Sequence, residues 1–202
     1  MKKAAVSVML VDIVSAKHMK IAILSDIHDN IWNLQAALAG SQQADTLICC
    51  GDLCSPFVIA IMAEGFSRPI HLVFGNNDGD LARITNVANR FPNFHLEGEF
   101  FETEWGGKKI AANHYDNIGL PLAHSGIYDL VCFGHNHRYQ VEKFGKTLAI
   151  NPGTLMGYNP LVRKEVPATF VIYDTQDESV ASFQVQASTD GSNSRAVFPY
   201  PS

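Results

Sequence analysis

Lys20-Ile21-Ala22-Ile23-Leu24-Ser25-Asp26-Ile27-His28 is the stretch on which the fold turns. Its apolar run is short and unbroken, which predicts a buried strand, and it stops abruptly at a carboxylate and an imidazole. Working outward, Ile31 to Ala39 carries Leu34, Ala37 and Leu38 on one face and predicts a helix. Thr46 to Cys50 predicts a second strand. Pro56 to Ala63 predicts a second helix with proline in its first turn, and Ile70 to Phe74 a third strand. Equivalent points in this strand, helix, strand, helix, strand series are separated by about 25 residues, the length of a parallel crossover unit. Each strand leads into a polar segment: Asp26-Ile27-His28, Gly51-Asp52 and Gly75-Asn76-Asn77-Asp78. Ligands in open α/β sheets gather outside the carboxyl ends of the strands, so this topology would bring the three segments together.

Beyond Asp78 the pattern changes. A helix is expected over Asp80 to Asn89, then strands over Glu99 to Trp105 and Lys108 to Asn113, joined by the hairpin signal Gly106-Gly107. Leu130 to Phe133, Tyr139 to Phe144, Thr147 to Ile150, Thr169 to Tyr173 and Val180 to Val185 read as further strands, with a tight turn at Gly145-Lys146. Two packed sheets with outer helices follow, and the residues alone support a mixed α/β domain.

Two more polar segments, Asn113-His114 and Gly134-His135-Asn136-His137, also end apolar runs. Asp26, His28, Asp52, Asn76, His114, His135 and His137 then make seven metal-capable side chains with no thiolate among them. Such an oxygen and nitrogen set is expected of catalytic Mn, Fe or Zn rather than a structural Cys-rich zinc site. Two divalent ions balanced by two carboxylates leave a cationic pocket suited to a phosphate ester, because paired metals polarise phosphoryl oxygens and acidify water. His135 and His137 are two apart, so an extended segment would aim both to one side and Asn136 away.

Taken singly, these residues have plainer uses. Asp26 and Asp52 suit helix caps, His28 a loop, and Gly75 to Gly79 a turn. Their joint occurrence outweighs those readings. Cys54 is expected to be packing, Trp32 and Phe57 to belong to amphipathic faces, and His18, His71, His95 and His124 to be surface or core residues. Asn151 to Thr154 either lines the pocket rim or turns the chain.

In this order, Asp-x-His, Gly-Asp, Gly-Asn-x-Asp, a lone His and Gly-His-x-His resemble the calcineurin-like metallophosphoesterases over Ile21 to Tyr173. Short length and Asn151-Pro152-Gly153-Thr154 make the chain similar to the small phosphodiesterase branch, which also contains the retromer scaffold subunit. The resemblance implies an α/β, four-layer αββα sandwich of two mixed sheets flanked by helices. It places Asp26, His28 and His137 on one metal, Asn76, His114 and His135 on the other, and Asp52 between them. Mn is the first expectation, and Fe, Zn or Ni would accept the same ligands. The sequence departs from the family where Tyr115 and Asp116 follow His114. It departs again at Asn77, where calcineurin-type phosphatases carry a His that acts on the leaving group. Asn77 can donate a hydrogen bond but cannot deliver a proton, so it is expected to steady phosphoryl oxygens, and Asp78 to orient a neighbouring ligand or loop. A metallo-β-lactamase-like site fails, because Arg138-Tyr139 follow His137 where Asp-His is needed.

The function expected is two-metal hydrolysis of a small phosphorylated compound, a diester more than a monoester, through in-line attack of hydroxide held between the ions. The alternative is a protein-binding scaffold on the same fold. That relative has lost several ligands, whereas all seven positions here keep competent side chains.

A length of 202 residues with 47% hydrophobic content bounds the chain to one domain. Net charge −5, without a Lys/Arg cluster, argues against duplex nucleic acid as partner. Cys49, Cys50, Cys54 and Cys132 sit in or beside apolar runs, two of them adjacent, so reduced thiols and a cytoplasmic location are expected. Lys2-Lys3, Ala4 to Val14 and Ser15-Ala16 loosely imitate a secretory signal that Asp12 interrupts, and no run reaches membrane-spanning length. Residues 1–18 are read as an extension, 19–186 as the domain, and 187–202 as a loose tail. The resemblance implies a homodimer or homotetramer.

Overall fold

The computed structural model describes residues 17–188 and 194–201. β1 (Lys20–Leu24), α1 (Ile31–Gly40), β2 (Thr46–Cys49), α2 (Phe57–Gly65) and β3 (Ile70–Leu72) form the expected crossover series, and α3 (Leu81–Ala88) leads to β4 (Phe94–Leu96). β1 to β4 are parallel in register order, Leu24 beside Cys49 and Cys49 beside Leu72. Next come β5 (Phe100–Trp105), β6 (Lys108–Asn113), α4 (Asp116–His124), β7 (Leu130–Cys132), β8 (Tyr139–Phe144) and β9 (Thr147–Pro152). The chain closes with a small hairpin of β10 (Tyr158–Asn159) and β11 (Lys164–Glu165), then β12 (Ala168–Asp174), β13 (Val180–Ala187) and β14 (Arg195–Pro199).

One sheet has seven strands in the order β14-β13-β12-β1-β2-β3-β4, the other five in the order β5-β6-β7-β9-β8. Both are mixed, since β12 runs antiparallel to β1, and β5 and β8 antiparallel to their parallel neighbours. The period of two along β1 divides it between two cores. Ala22 and Leu24 pack under α1 and α2 with Leu34, Leu38, Val58 and Met62, while Ile21 and Ile23 meet Ile110, Leu130 and Ile150 of the other sheet. On the far side, Ala111, Val131 and Phe133 lie under Ala123 of α4. Four αββα layers result. A fully buried Leu or Ile stabilises by roughly 1.5–3 kcal/mol, so β1, buried on both faces, anchors the whole sandwich.

α4, β4, β10, β11 and β14 stand where no helix or strand was expected. α4 contains Gly119 and Pro121, both poor helix signals, yet Gly119 is needed, since a Cβ there would lie 2.6 Å from Phe133 Cδ1. The tail read as loose holds a strand. β14 pairs with β13 from Ala187 beside Arg195 to Phe183 beside Pro199, and Val197 packs against the α1 core. Residues 1–16 of the expected extension lie outside the described residues. Met19 is joined to Thr175 through its N–H (2.9 Å to Oγ1) and its carbonyl (2.9 Å). All four cysteines are free thiols, and among the described residues no helix is long and apolar enough to cross a membrane.

Candidate metal centre

The polar segments after β1, β2 and β3 meet those after β6 and β7 in one cluster. The loops are knitted together by main-chain bonds, Asp26 N–H to Gly51 O at 3.0 Å and His28 N–H to Asp52 O at 3.0 Å. Gly75 and Gly134 leave no room for a Cβ, which would strike the Asp52 carboxylate and the Ser25 hydroxyl respectively. Asp26 (φ 52°), His28 (44°), Asp52 (58°), His135 (71°) and His137 (56°) are all left-handed. Such backbone costs non-glycine residues roughly 1–3 kcal/mol each and concentrates at functional sites. It also corrects the expectation of an extended His135 to His137 segment: a turned backbone, not strand alternation, points both rings inward.

His28 Nε2 lies 3.2 Å from His137 Nε2, and His137 Nε2 lies 3.2 Å from Asp26 Oδ1. Nearby, His114 Nε2 is 3.0 Å from Asn76 Oδ1 and 3.2 Å from His135 Nδ1. Between the two groups, Asp52 Oδ2 is 3.4 Å from both His28 Nε2 and His114 Nε2. Asp26, Asp52 and His114 also each bring an atom within 4.8 Å of one another, so Asp26 borders both groups. Asp26 Oδ1 is buried without a hydrogen-bond partner. Converging imidazole nitrogens around an unpartnered carboxylate oxygen fit divalent cations, which would satisfy all these lone pairs at once.

Outer contacts fix the rings. His114 Nδ1 meets Cys50 O at 2.7 Å and His137 Nδ1 meets Tyr158 O at 2.6 Å. A carbonyl only accepts, so each Nδ1 carries a proton and each Nε2 faces inward, free to offer a lone pair to a cation once the ring is neutral. His28 Nδ1 instead faces Cys54 Sγ at 3.5 Å, so Cys54 is a partner of the site rather than plain packing.

Burial alone would raise the carboxyl pKa of Asp26, but the facing His137 and His28 rings prevail and hold it well below the usual range. Asp52 is lowered likewise, with His114 outweighing its burial. For the rings, burial pulls His114 and His137 down, yet Asp52 and Asp26 respectively carry them above the ordinary imidazole value.

Asp78 ties three loop amides together: Oδ2 accepts from Gly75 N–H at 2.7 Å and Asp52 N–H at 3.1 Å, and Oδ1 from Cys54 N–H at 2.9 Å. Burial raises its pKa. Asn77 is exposed at the mouth, and its N–H and Nδ2 each donate to Asp52 at 2.8 Å. The side chain assigned to substrate oxygens thus holds Asp52 first, because that carboxylate is the acceptor within reach, and its NH2 keeps one hydrogen for the mouth.

Two positioning residues were not distinguished in the sequence. Thr154 Oγ1 donates to Asp26 O at 2.8 Å, and Asn151 Nδ2 to Gly134 O at 2.9 Å and Asn136 Oδ1 at 3.0 Å. Both are fully buried, so the Asn-Pro-Gly-Thr segment is neither rim nor simple turn but the underside of the site. Trp32 and Phe57, expected on packed faces, are 43% and 52% exposed. His18, His71, His95 and His124 lie outside the cluster, as expected, His71 bonding Glu97 and stacking on Phe101.

The calcineurin-like phosphoesterase superfamily domain matches residues 19–178. Phosphodiesterase MJ0936 of Methanocaldococcus jannaschii is 33% identical over 144 residues, 69% of this chain and 86% of that relative. A solved archaeal phosphodiesterase superposes with a TM-score of 0.72 at 30% identity, covering 82% of this chain and 99% of its own. Vacuolar protein sorting 29 of Cryptosporidium parvum, at TM-score 0.63 and 19% identity over 92% and 99%, shares the fold. By the match over residues 19–178 and these relatives, the chain belongs to the calcineurin-like phosphoesterase superfamily.

Proposed function

We propose that this protein is a metal-dependent phosphodiesterase acting on a small phosphorylated substrate. Asp26, His28 and His137 would hold one divalent ion, Asn76, His114 and His135 a second, and Asp52 would serve both. The observation that carries this is the position of Asp52 Oδ2, 3.4 Å from an imidazole of each group. Two ions bound there supply Lewis acidity toward phosphoryl oxygens and acidify water. The chain's own residues prepare that chemistry. Asp26 and Asp52 remain ionised, while imidazole lone pairs and the Asn76 carbonyl would donate to the ions without cancelling the positive charge that attracts phosphate. Carbonyls of Cys50 and Tyr158 keep two rings in the required tautomer. Asn77 clamps Asp52 and offers its remaining N–H to a phosphoryl oxygen, and Asp78 sets the loops beneath.

Mn is the first choice of metal, with Fe, Zn and Ni compatible with the donors. The diester preference rests on the likeness to an archaeal phosphodiesterase in both sequence and structure. The same reading places the catalytic domain from Met19 onward, in the cytoplasm, as a homodimer or homotetramer. Net charge −5 makes duplex nucleic acid a poor partner.

The test is hydrolysis of bis-p-nitrophenyl phosphate and p-nitrophenyl phosphate by metal-stripped protein resupplied with Mn, Fe, Zn, Ni or Mg. Metal-dependent turnover, greater for the diester and about a thousandfold or more lower in Asp52→Asn, is expected. No turnover despite measured metal occupancy would replace this reading with the scaffold one.

A further inference from the structure

Beside the metal centre, on the outer side of His137, lies a cavity of about 390 Å³ lined by His137, Arg138, Val162, Val166, Pro167 and Tyr200, among others. A larger one of about 610 Å³ sits between α1 and α2, lined by Leu38, Ile61 and Gly65, and another is lined by Lys17 and His18 just before β1. Neither of those touches a proposed ligand. The cavity beside His137 does.

Its walls are built rather than incidental. Tyr158 O meets His137 Nδ1 at 2.6 Å, and the next residue, buried Asn159, donates from Nδ2 to Asn136 O at 2.9 Å. Asn159 Oδ1 then accepts the N–H groups of Leu161 (3.0 Å) and Val162 (3.3 Å). One side chain therefore docks the β10–β11 hairpin on the histidine loop and fixes its tip, which presents Leu161 at 73% and Val162 at 46% exposure. Opposite, Tyr200 is held by its N–H on Ser182 O at 2.8 Å and by an edge contact with Tyr139 at 5.0 Å. Arg138 follows a proposed ligand directly, is exposed, and among the described residues has no acidic partner.

We propose that this cavity is the subsite for the non-reacting arm of the diester, and that it takes a planar, nucleoside-like group. This rests on the phosphodiesterase reading. The volume falls in the range of about 300–1,000 Å³ usual for small-molecule pockets, enough for one such arm. Tyr200 offers a ring face, Val162, Val166 and Pro167 an apolar wall, and Arg138 a planar guanidinium that stacks on rings or donates to their carbonyl acceptors. With the ester phosphate at the proposed two-ion centre, His137 would stand between it and the cavity that the ring borders, so the second substituent of a diester would reach the cavity past His137. A monoester has no such second arm.

The experiment compares two diesters with the same leaving group, the p-nitrophenyl ester of thymidine 5′-phosphate and methyl p-nitrophenyl phosphate, on metal-loaded protein. The thymidine ester should have a kcat/KM about tenfold or more higher, the gain expected from burying a ring. In Tyr200→Ala, and separately in Val162→Ser at the exposed tip, the ratio of the two should fall toward one. Because each ratio is taken on one protein sample, partial unfolding cancels. Equal values in the wild type, or a preference that survives both substitutions, would overturn the subsite. Failure to hydrolyse either ester would instead overturn the phosphodiesterase reading beneath it.

Discussion

The two halves of the metal centre differ in charge and in access to solvent. Asp26, His28 and His137 bring their own carboxylate, with Asp26 fully buried and His137 only 4% exposed. Asn76, His114 and His135 bring no carboxylate of their own and take their negative charge from the shared Asp52 and the bordering Asp26. His114 is buried, but Asn76 is exposed. A charged, closed position binds a divalent ion tightly and exchanges it slowly, while a neutral, open one binds it more weakly and faces the substrate. On the proposed function, one centre would combine a resident ion with a working one.

The largest effect expected from this contrast is on metal stoichiometry. Asp26→Asn should bind no more than one ion and lose about a thousandfold in activity, whereas Asn76→Ala should lose only its weaker ion and recover most activity in excess metal. Titration calorimetry with Mn, alongside turnover, decides this. Equal behaviour of the two variants would break the comparison.

A smaller effect sharpens it. Cys54 is the outer partner of His28 alone, so Cys54→Ala should weaken the tighter ion about tenfold and spare the other, while Cys54→Ser restores binding. Burial, and then Asp52, push the Cys54 thiol up to about 12, so it acts as a neutral thiol throughout. Unchanged affinity in the Ala variant would return Cys54 to simple packing.

The smallest effect is on pH dependence, and there the halves should agree. Each holds one imidazole, His137 or His114, lifted above the ordinary 6.5 in the metal-free fold. A pKa raised by folding stabilises fully below the unfolded value and fades as pH climbs through the folded one. The melting temperature of metal-free wild type, relative to His137→Gln or His114→Gln, should therefore decline from pH 6 to 8. Added Mn needs neutral rings, so the rise in melting temperature that it produces should grow over the same interval. A flat or rising difference would show that these rings are not paired with Asp26 and Asp52.

The crossover series, the hairpins of the five-stranded sheet and the polar segments that converge on the candidate site were legible because each left a local trace: an apolar run, a tight-turn glycine, a polar stop. What escaped was held by distant partners. α4 forms where Gly119 lets a helix settle on Phe133, a contact 14 residues along the chain. β14 is defined by its ladder to β13 and by Val197 against α1, not by its own polar surroundings. In the site, residue types announced the ligands, but not the left-handed backbone that aims them, nor Thr154 beneath Asp26, 128 residues away. Sequence could say which atoms were available. Only the packed sheets say which of them are neighbours.

The proposed ligands come from both sheets: Asp26, His28, Asp52 and Asn76 follow β1, β2 and β3, while His114, His135 and His137 follow β6 and β7. Any ion that bridges them is therefore a rivet through the middle of the sandwich. Losing it would loosen the seam between the layers, so occupancy should be readable far from the chemistry, as slower amide exchange along β1 and β7.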